Sequence, residues 1–135
     1  MNTVSQSVTF SVSPERLFDI FTDSKKHSAA TGAKAKVSRK AGAKWSAFGG
    51  QIGGRNLAVV PSRLMVQAWR ARHWKKSDLD SILIIHFTKS GKGGRVELVH
   101  TNLPDHDVNG VSQGWPNYYW KPWKAYLANQ GKKRG

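Results

Sequence analysis

The sequence predicts an α+β domain in which a long C-terminal helix lies against a curved antiparallel sheet. The first observation is a series of segments with alternating apolar and polar residues, which is typical of strands with one buried face. The second is the stretch 114–127, which holds 6 aromatic residues in 14 positions. Its apolar stripe follows a helical period, with members Trp115, Tyr119, Trp123, Tyr126 and Leu127.

The composition of this C-terminal stretch is the third observation. It contains Gly114, Pro116 and Pro122, and Gly110 comes shortly before it; all four lower the propensity of a helix interior. A helix with such weak intrinsic propensity needs a broad apolar surface to cover its buried side. Strands in a meander with a terminal helix across one face supply that surface and make an α+β domain.

The N-terminal elements are a strand and two short helices. Val4, Val8, Phe10 and Val12 alternate with polar residues, which predicts a strand. Ser13, Pro14 and Glu15 together predict a helix start with a hydroxyl cap, proline in the first turn and an acid near the positive end of the helix.

The first helix is expected to bury Leu17, Phe18 and Phe21 and to expose its acidic side. Asp23 and Ser24 begin a second short helix, which Gly32 ends.

The middle of the chain predicts five or six antiparallel strands. A glycine-dense segment at 49–54 matches neither the dinucleotide-binding fingerprint nor the phosphate-binding loop, so it indicates a hairpin or bulge where backbones approach closely. A second glycine-rich turn at 90–94 joins two strands of a hairpin. The strands themselves are expected around 45–48, 57–60, 64–70, 81–88 and 95–100. Asp107 or Asn109 is expected to cap the final helix.

Length and composition favour one intracellular domain. At 135 residues the chain is expected to form a single domain over 1–135, with an ordered core at about 3–128 and a basic tail at 129–135. No run approaches the roughly 18 apolar residues of a membrane span, and the N-terminal residues lack a signal peptide. The absence of Cys fits a reducing compartment, so we expect a cytoplasmic protein without a disulfide.

Charge is the most unusual property of the composition. Lys and Arg number 22 against 8 Asp and Glu, a formal net charge of +14, and 13 of the basic residues lie between Asp23 and Asp78. Such a field attracts anionic partners, including nucleic acid, but it equally describes a solvated basic surface. Stacking on bases also needs exposed aromatic rings beside basic residues, and few positions fit that pattern: Trp120 with Lys121, and Trp74 with Lys75 and Lys76.

Candidate catalytic chemistry is sparse in this sequence. There is no Gly-x-Ser-x-Gly motif, no Cys, and no metal-ligand spacing among the five His residues, so we expect no catalytic residues, no metal and no cofactor. His100 is the histidine of interest because it shares a strand face with Leu98 and Val96. It could orient a polar group of a ligand, although a core histidine bonded to a neighbouring side chain is the favoured alternative.

Four short motifs follow one another along the chain. They are Phe48-Gly49-Gly50-x-Ile52-x-Gly54, Val66-Gln67-Ala68-Trp69-Arg70, His100-Thr101-x-Leu103-Pro104 and Gly114-Trp115-x-x-Tyr118-Tyr119. Together and in this order they resemble the family named for the activator of the heat shock protein 90 ATPase. The resemblance runs from Phe10 to Leu127.

This resemblance implies a helix-grip fold of the START-like or SRPBCC superfamily, shared with birch pollen allergens and lipid-transfer domains. It implies a curved sheet wrapped round the C-terminal helix, two small helices at one end, and a cavity between helix and sheet. The Asn-Asn-Trp-His-Trp motif of the eukaryotic activator's N-terminal domain is absent from this sequence. The chain therefore resembles the single-domain bacterial relatives.

The leading hypothesis is non-enzymatic binding of a hydrophobic or lipid-like small molecule in that cavity. One alternative is a protein-interaction module that modulates a heat shock protein 90-type chaperone, and another is a cyclase- or aromatase-like enzyme. A core filled by the same aromatic residues also remains open. The expected ligand-binding residues are Phe18, Phe21, Trp45, Met65, Gln67, Trp69, Leu83, Ile85, Phe87, Leu98, His100, Trp115, Tyr119 and Trp123.

Overall fold

The structure, a computed structural model, describes residues 2–134 and contains six strands and a long C-terminal helical segment. The N-terminal half contains β1 (Val4–Phe10), α1 (Pro14–Thr22), α2 (Ser24–Thr31), β2 (Lys44–Ala47) and β3 (Ile52–Val60). The C-terminal half contains β4 (Leu64–Ala71), β5 (Ser81–Ser90), β6 (Gly93–Thr101), α3 (Val108–Gly114), a π-helical segment (Trp115–Trp120) and α4 (Lys121–Arg134). Short 3-10 turns cover Phe48–Gly50 and Asp105–Asp107.

All six strands form one antiparallel sheet in the order β1-β6-β5-β4-β3-β2. β2 to β6 form a meander, and β1 pairs with β6 at the far edge, with Val4 opposite His100 and Phe10 opposite Gly94. Alternate residues of each strand are buried, because successive side chains point to opposite faces of a sheet. The predicted α+β layout is therefore confirmed, with five strands in the central run.

The two N-terminal helices begin and end where their capping residues predict. Ser13 Oγ accepts a hydrogen bond from the Arg16 amide, and Asp23 Oδ1 accepts one from the Lys26 amide. Gly32 ends α2 with a φ of 79°, in the left-handed region that glycine adopts without steric penalty. The apolar stripe of α1, including Phe18 and Phe21, is buried under the sheet and the C-terminal helix.

The C-terminal helix contains a π-helical segment, Trp115–Trp120, which includes Pro116 and ends before Pro122. There the Lys121 amide donates to the Pro116 carbonyl, five residues earlier. This i→i+5 spacing brings Trp115 and Trp120 onto the same side of the helix, where their rings stack 5.5 Å apart with 19° between the planes. An α-helical period places these residues on different sides, so the predicted apolar stripe did not include Trp120, which is buried.

Trp74 is buried as well, and its indole nitrogen donates to Asp107. Both aromatic residues that the sequence offered for stacking with nucleic acid therefore lie inside the protein. The net charge of the chain is unaffected, but neither of these two rings is exposed beside basic residues to stack on bases.

The segment expected to form a basic tail continues α4 over residues 129–134, while Gly135 lies outside the described residues. Within the part of the chain that the structure describes, no helix has the length and apolar content needed to cross a membrane.

Candidate functional site

A cavity of about 410 Å³ opens between the first half of the C-terminal helix, the turn after β2 and the end of β4. This volume falls within the range of small-ligand pockets. Its lining is mostly apolar and aromatic, with a few polar groups towards the helix start. The lining residues are Phe48, Gln51, Ile52, Trp69, Ala71, His73, Asp107, Gly110, Val111, Gly114, Trp115, Tyr118 and Tyr119.

The structure brings three of the expected ligand-binding residues to this cavity: Trp69, Trp115 and Tyr119. The other expected residues are buried, either in the hydrophobic core or among the polar side chains beside it. They do not line the cavity. These are Phe18, Phe21, Trp45, Met65, Gln67, Leu83, Ile85, Phe87, Leu98, His100 and Trp123. The cavity thus lies at one end of the helix–sheet layer rather than along its whole length.

Several lining residues were absent from the expected set. Phe48 begins the turn after β2, at the end of the strand expected around 45–48, and Ile52 is the first residue of β3. Both stand in the first family motif, which was the signal available for them. Gly114 and Tyr118 stand in the fourth family motif, so that motif was the available signal. Tyr118 is 62% exposed, and its ring lies 5.8 Å from that of Phe48 at the cavity wall.

The polar part of the cavity centres on Asp107 at the start of α3. Its Oδ2 accepts a hydrogen bond from Trp74 Nε1 at 2.7 Å and lies 3.3 Å from His73 Nε2. Asp107 occupies the predicted cap position, but its side chain caps no helix amide. Its second oxygen, Oδ1, accepts no hydrogen bond from any described residue and lies over Gly110. This leaves one carboxylate oxygen available to a molecule in the cavity.

His100 forms a closed hydrogen-bond network behind the cavity wall. Its Nδ1 accepts a hydrogen bond from Trp115 Nε1 at 3.2 Å, and its Nε2 lies 2.8 Å from Ser81 Oγ. Since Ser81 Oγ donates to the Trp69 carbonyl at 2.7 Å, the imidazole must donate through Nε2 and is neutral. Burial lowers the pKa of His100 to about 3. Its role in the structure is to hold Trp69 and Trp115, two walls of the cavity.

A second buried histidine supports Tyr119, which stands next to Trp115 in the cavity wall. His27 Nδ1 lies 2.9 Å from the Phe21 carbonyl, and its Nε2 lies 3.1 Å from the Tyr119 hydroxyl. The carbonyl can only accept, so His27 donates through Nδ1 and accepts the Tyr119 proton through Nε2. Burial lowers the pKa of His27 and raises the pKa of Tyr119, so both groups are neutral.

Gln67 on β4 belongs to a separate cluster of polar side chains, which it forms with Asn56 on β3. Its Nε2 donates to Asn56 Oδ1 at 3.0 Å, and Asn56 in turn donates to the carbonyls of Ser38 and Lys40. The Gln67 Oε1 atom is buried and has no partner among the described residues. Gln67 therefore ties the loop before β2 to the sheet, away from the cavity.

The two neutral histidines predict a loss of stability in mild acid. The pKa of His100 is about 3 in the folded protein against 6.5 in an unfolded chain, so the unfolded state binds the extra proton. The contribution of the neutral imidazole is fully present above pH 6.5 and falls as the pH decreases towards 3. We expect His100 alone to lower the free energy of unfolding by about 1.4 kcal/mol per pH unit in that window. Urea denaturation at several pH values measures this slope.

Two variants separate the contribution of His100 from other titrations. His100→Leu should reduce the slope, and it should lower stability at neutral pH by about 1–3 kcal/mol because the Trp115 indole loses its acceptor. His86→Gln, at an exposed position on the same strand pair, should leave the slope unchanged. An unchanged slope in His100→Leu would contradict a neutral, buried His100.

A curved antiparallel sheet around a C-terminal helix, with two short helices and a cavity under the helix, defines a helix-grip domain. The family described as activator of Hsp90 ATPase homolog 1-like protein matches residues 11–128. The chain belongs to this family.

Curated relatives of similar sequence are named as activators of the 90 kDa heat shock protein ATPase. An activator of 90 kDa heat shock protein ATPase homolog from Dictyostelium discoideum is 33% identical over 107 residues, covering 78% of this chain and 28% of that protein. The human homolog 1 is 27% identical over 113 residues, covering 84% of this chain and 33% of that protein. The chain therefore spans about a third of the length of these curated relatives.

Solved structures share the fold. The crystal structure of an HSP90 activator from Plasmodium falciparum superimposes with a TM-score of 0.84 and 24% identity, covering 95% of this chain and 97% of that one. The solution structure of an Aha1 dimer from Colwellia psychrerythraea gives a TM-score of 0.73 at 12% identity, with 87% and 90% coverage. At these identities the likeness shows the fold alone.

Proposed function

We propose that this domain binds a hydrophobic small molecule, without catalysis, in the cavity under the C-terminal helix. The observation that carries the proposal is the cavity itself, a space of about 410 Å³ walled by aromatic rings and bordered by few polar groups. Mostly apolar sites with a small number of placed polar groups are typical of small-ligand binding.

The walls of the cavity are held in place before any ligand arrives. Trp115 and Tyr119 have ring centroids 4.6 Å apart, and each is bonded to a buried histidine, His100 and His27 respectively. Phe48 closes the same side with its ring 5.4 Å from Tyr119. A pre-formed site loses little conformational entropy on binding, which favours affinity.

Filling the cavity with a side chain tests the proposal. Gly114 lines the cavity with helical backbone angles, and a Cβ added there would meet its nearest neighbour, Tyr118 Cδ2, at 3.6 Å, an ordinary contact distance. Gly114→Phe is therefore expected to fold and to place its ring in the space of the ligand. We expect an apolar fluorescent dye that binds the unmodified chain to lose at least about tenfold in affinity, which corresponds to about 1.4 kcal/mol.

Gly114→Ala is the matched control. It adds one methyl group, leaves most of the cavity open and removes the helix penalty of glycine, so it should raise stability by about 0.5–1 kcal/mol. Dye binding should be retained in this variant. If the dye binds Gly114→Phe as tightly as the unmodified chain, or binds none of the three proteins, the cavity is not a ligand site.

Modulation of a heat shock protein 90-type chaperone is a second candidate function. The family match and the names of the two curated relatives favour it, although this chain spans only about a third of their length. Such support is an analogy between family members rather than an inference from a site. Measuring ATP turnover of a chaperone of this type with and without the purified chain tests it, and no change in rate with no binding would exclude it.

A further inference from the structure

We propose that the cavity selects aromatic molecules that are neutral or positively charged, and that it discriminates against carboxylates such as fatty acids. This inference rests on the proposed function, because it names the class of ligand for the same cavity. It depends on which charged groups line the cavity, on the free oxygen of Asp107, and on the shape of the walls.

The cavity lining does not share the basic character of the chain. The sequence contains 22 Lys and Arg residues, yet among the described residues none of them lines the cavity. The one carboxylate in the lining is Asp107, and the other titratable side chains there are His73, Tyr118 and Tyr119. Sites that bind carboxylates normally present an Arg, a Lys or several amide donors to the anion. This cavity offers no Arg or Lys for that purpose, and its one imidazole, His73, already has its Nε2 3.3 Å from Asp107 Oδ2.

Asp107 provides the specific interaction. Its Oδ2 is bonded to Trp74, while Oδ1 has no partner among the described residues and lies beside Gly110 in the cavity wall. The side chain is only 16% exposed, so the environment around it is less polar than water and its charge is weakly screened. An ammonium, amide or hydroxyl group of a ligand can donate to this oxygen. A carboxylate in the same position would face a like charge.

The start of the C-terminal helix does not reverse this preference. A helix N-terminus attracts anions, but Asp107 already places its carboxylate there and compensates the positive end of the dipole. The net charge of +14 acts mainly at long range, where salt at physiological concentration screens it beyond about 8 Å. Within the cavity the nearest charge dominates, because Coulomb energy falls with distance.

The walls favour a flat ligand. Trp69, Trp115, Tyr119 and Phe48 line the same space, and Trp115 and Tyr119 are inclined by 37° to each other. Aromatic side chains interact with a ring through offset stacking and edge-to-face contacts, which a flexible acyl chain does not make. The rings of Trp and Tyr also attract cations over their faces. Shape and charge thus point to the same class of ligand.

Three probes that differ in charge and hardly in size test this inference: naphthylmethylamine, naphthylmethanol and naphthoate. Each is titrated into the full chain by calorimetry at neutral pH and physiological salt. We expect the amine to bind at least about tenfold more tightly than naphthoate, and the affinity of the alcohol to lie between the two. A difference of this size corresponds to the effect of one nearby charge in a partly buried site. Asp107→Asn keeps an acceptor for Trp74 and should reduce the preference for the amine over naphthoate to about threefold or less.

Asp105→Asn is the matched control, because it removes the same charge from an exposed position outside the cavity. It should leave the order of the three probes unchanged. If naphthoate binds as tightly as the amine, or if Asp105→Asn shifts the order as much as Asp107→Asn, the charge selectivity is wrong while ligand binding stands. If none of the three probes binds, the proposed function and this inference fail together.

Discussion

Replacing Trp123 with alanine is expected to lower the free energy of unfolding by about 3–5 kcal/mol. The side chain is fully buried in α4 and lies against rings from three other parts of the chain. Its centroid is 5.9 Å from Phe10, 6.4 Å from Phe21 and 5.5 Å from Trp120. Removing it opens a large void between the helix and the sheet, and the surrounding elements can close it only partly. Urea denaturation measures the change.

Trp123→Phe is the informative comparison. Trp123 Nε1 is buried and has no hydrogen-bond partner among the described residues, so the indole carries an unsatisfied donor. Phenylalanine keeps an aromatic ring at the position and removes that donor, so part of the lost contact energy is offset. We expect the Phe variant to lose less than about half of what the Ala variant loses. A loss above that half would contradict an unsatisfied donor and would indicate that the indole nitrogen has a partner, such as a bound water.

Gly54→Ala is expected to be the most disruptive change of a single methyl group in the sheet. A Cβ at this position would lie 1.8 Å from the Ala68 carbonyl oxygen and 3.1 Å from Trp45 Nε1. The Trp45 indole crosses this glycine to donate to the same carbonyl, at 3.2 Å. Both obstacles are fixed, one by the β3–β4 pairing and one by that bond. We expect a loss of roughly 3 kcal/mol or more, measured by thermal and urea unfolding.

Gly131→Ala is the control for this variant. A Cβ there would have no atom within 4 Å, and the residue lies in α4. Alanine should therefore raise stability by about 0.5–1 kcal/mol through helix propensity. If Gly54→Ala is as well tolerated as Gly131→Ala, the strands around Gly54 can separate, and the close approach seen in the structure is not required for folding.

The element order could be predicted from the sequence because it depends on local rules. Strands alternate between two faces with a period of two residues, and Val4 to Phe10 shows that period directly. Caps such as Ser13 and Gly32 act within a few residues of the chain, so they mark the helix ends without knowledge of the fold. The glycine-dense segment likewise predicted the close approach that Gly54 makes.

The candidate site was predicted only in part. The aromatic stripe of the last helix identified Trp115 and Tyr119, and the strand alternation identified Trp69. The same rules also selected residues such as Leu83 and Phe87, which face the same interior but pack as core. Periodicity identifies the face on which a side chain lies, and it does not tell whether another side chain or an empty space lies opposite.

Two features were decided by the tertiary structure. The π-helical segment turns Trp120 inwards, because the i→i+5 bond from Lys121 to Pro116 brings it to the side of the helix where Trp115 lies. Asp107 leaves the helix end uncapped and bonds to Trp74, a residue that is 33 positions away in sequence. The sequence by itself determined the strands, the helices and the buried faces, since these follow from local backbone geometry. The cavity is the space left between side chains of several elements, so its place and its single free carboxylate oxygen exist only once those elements pack together.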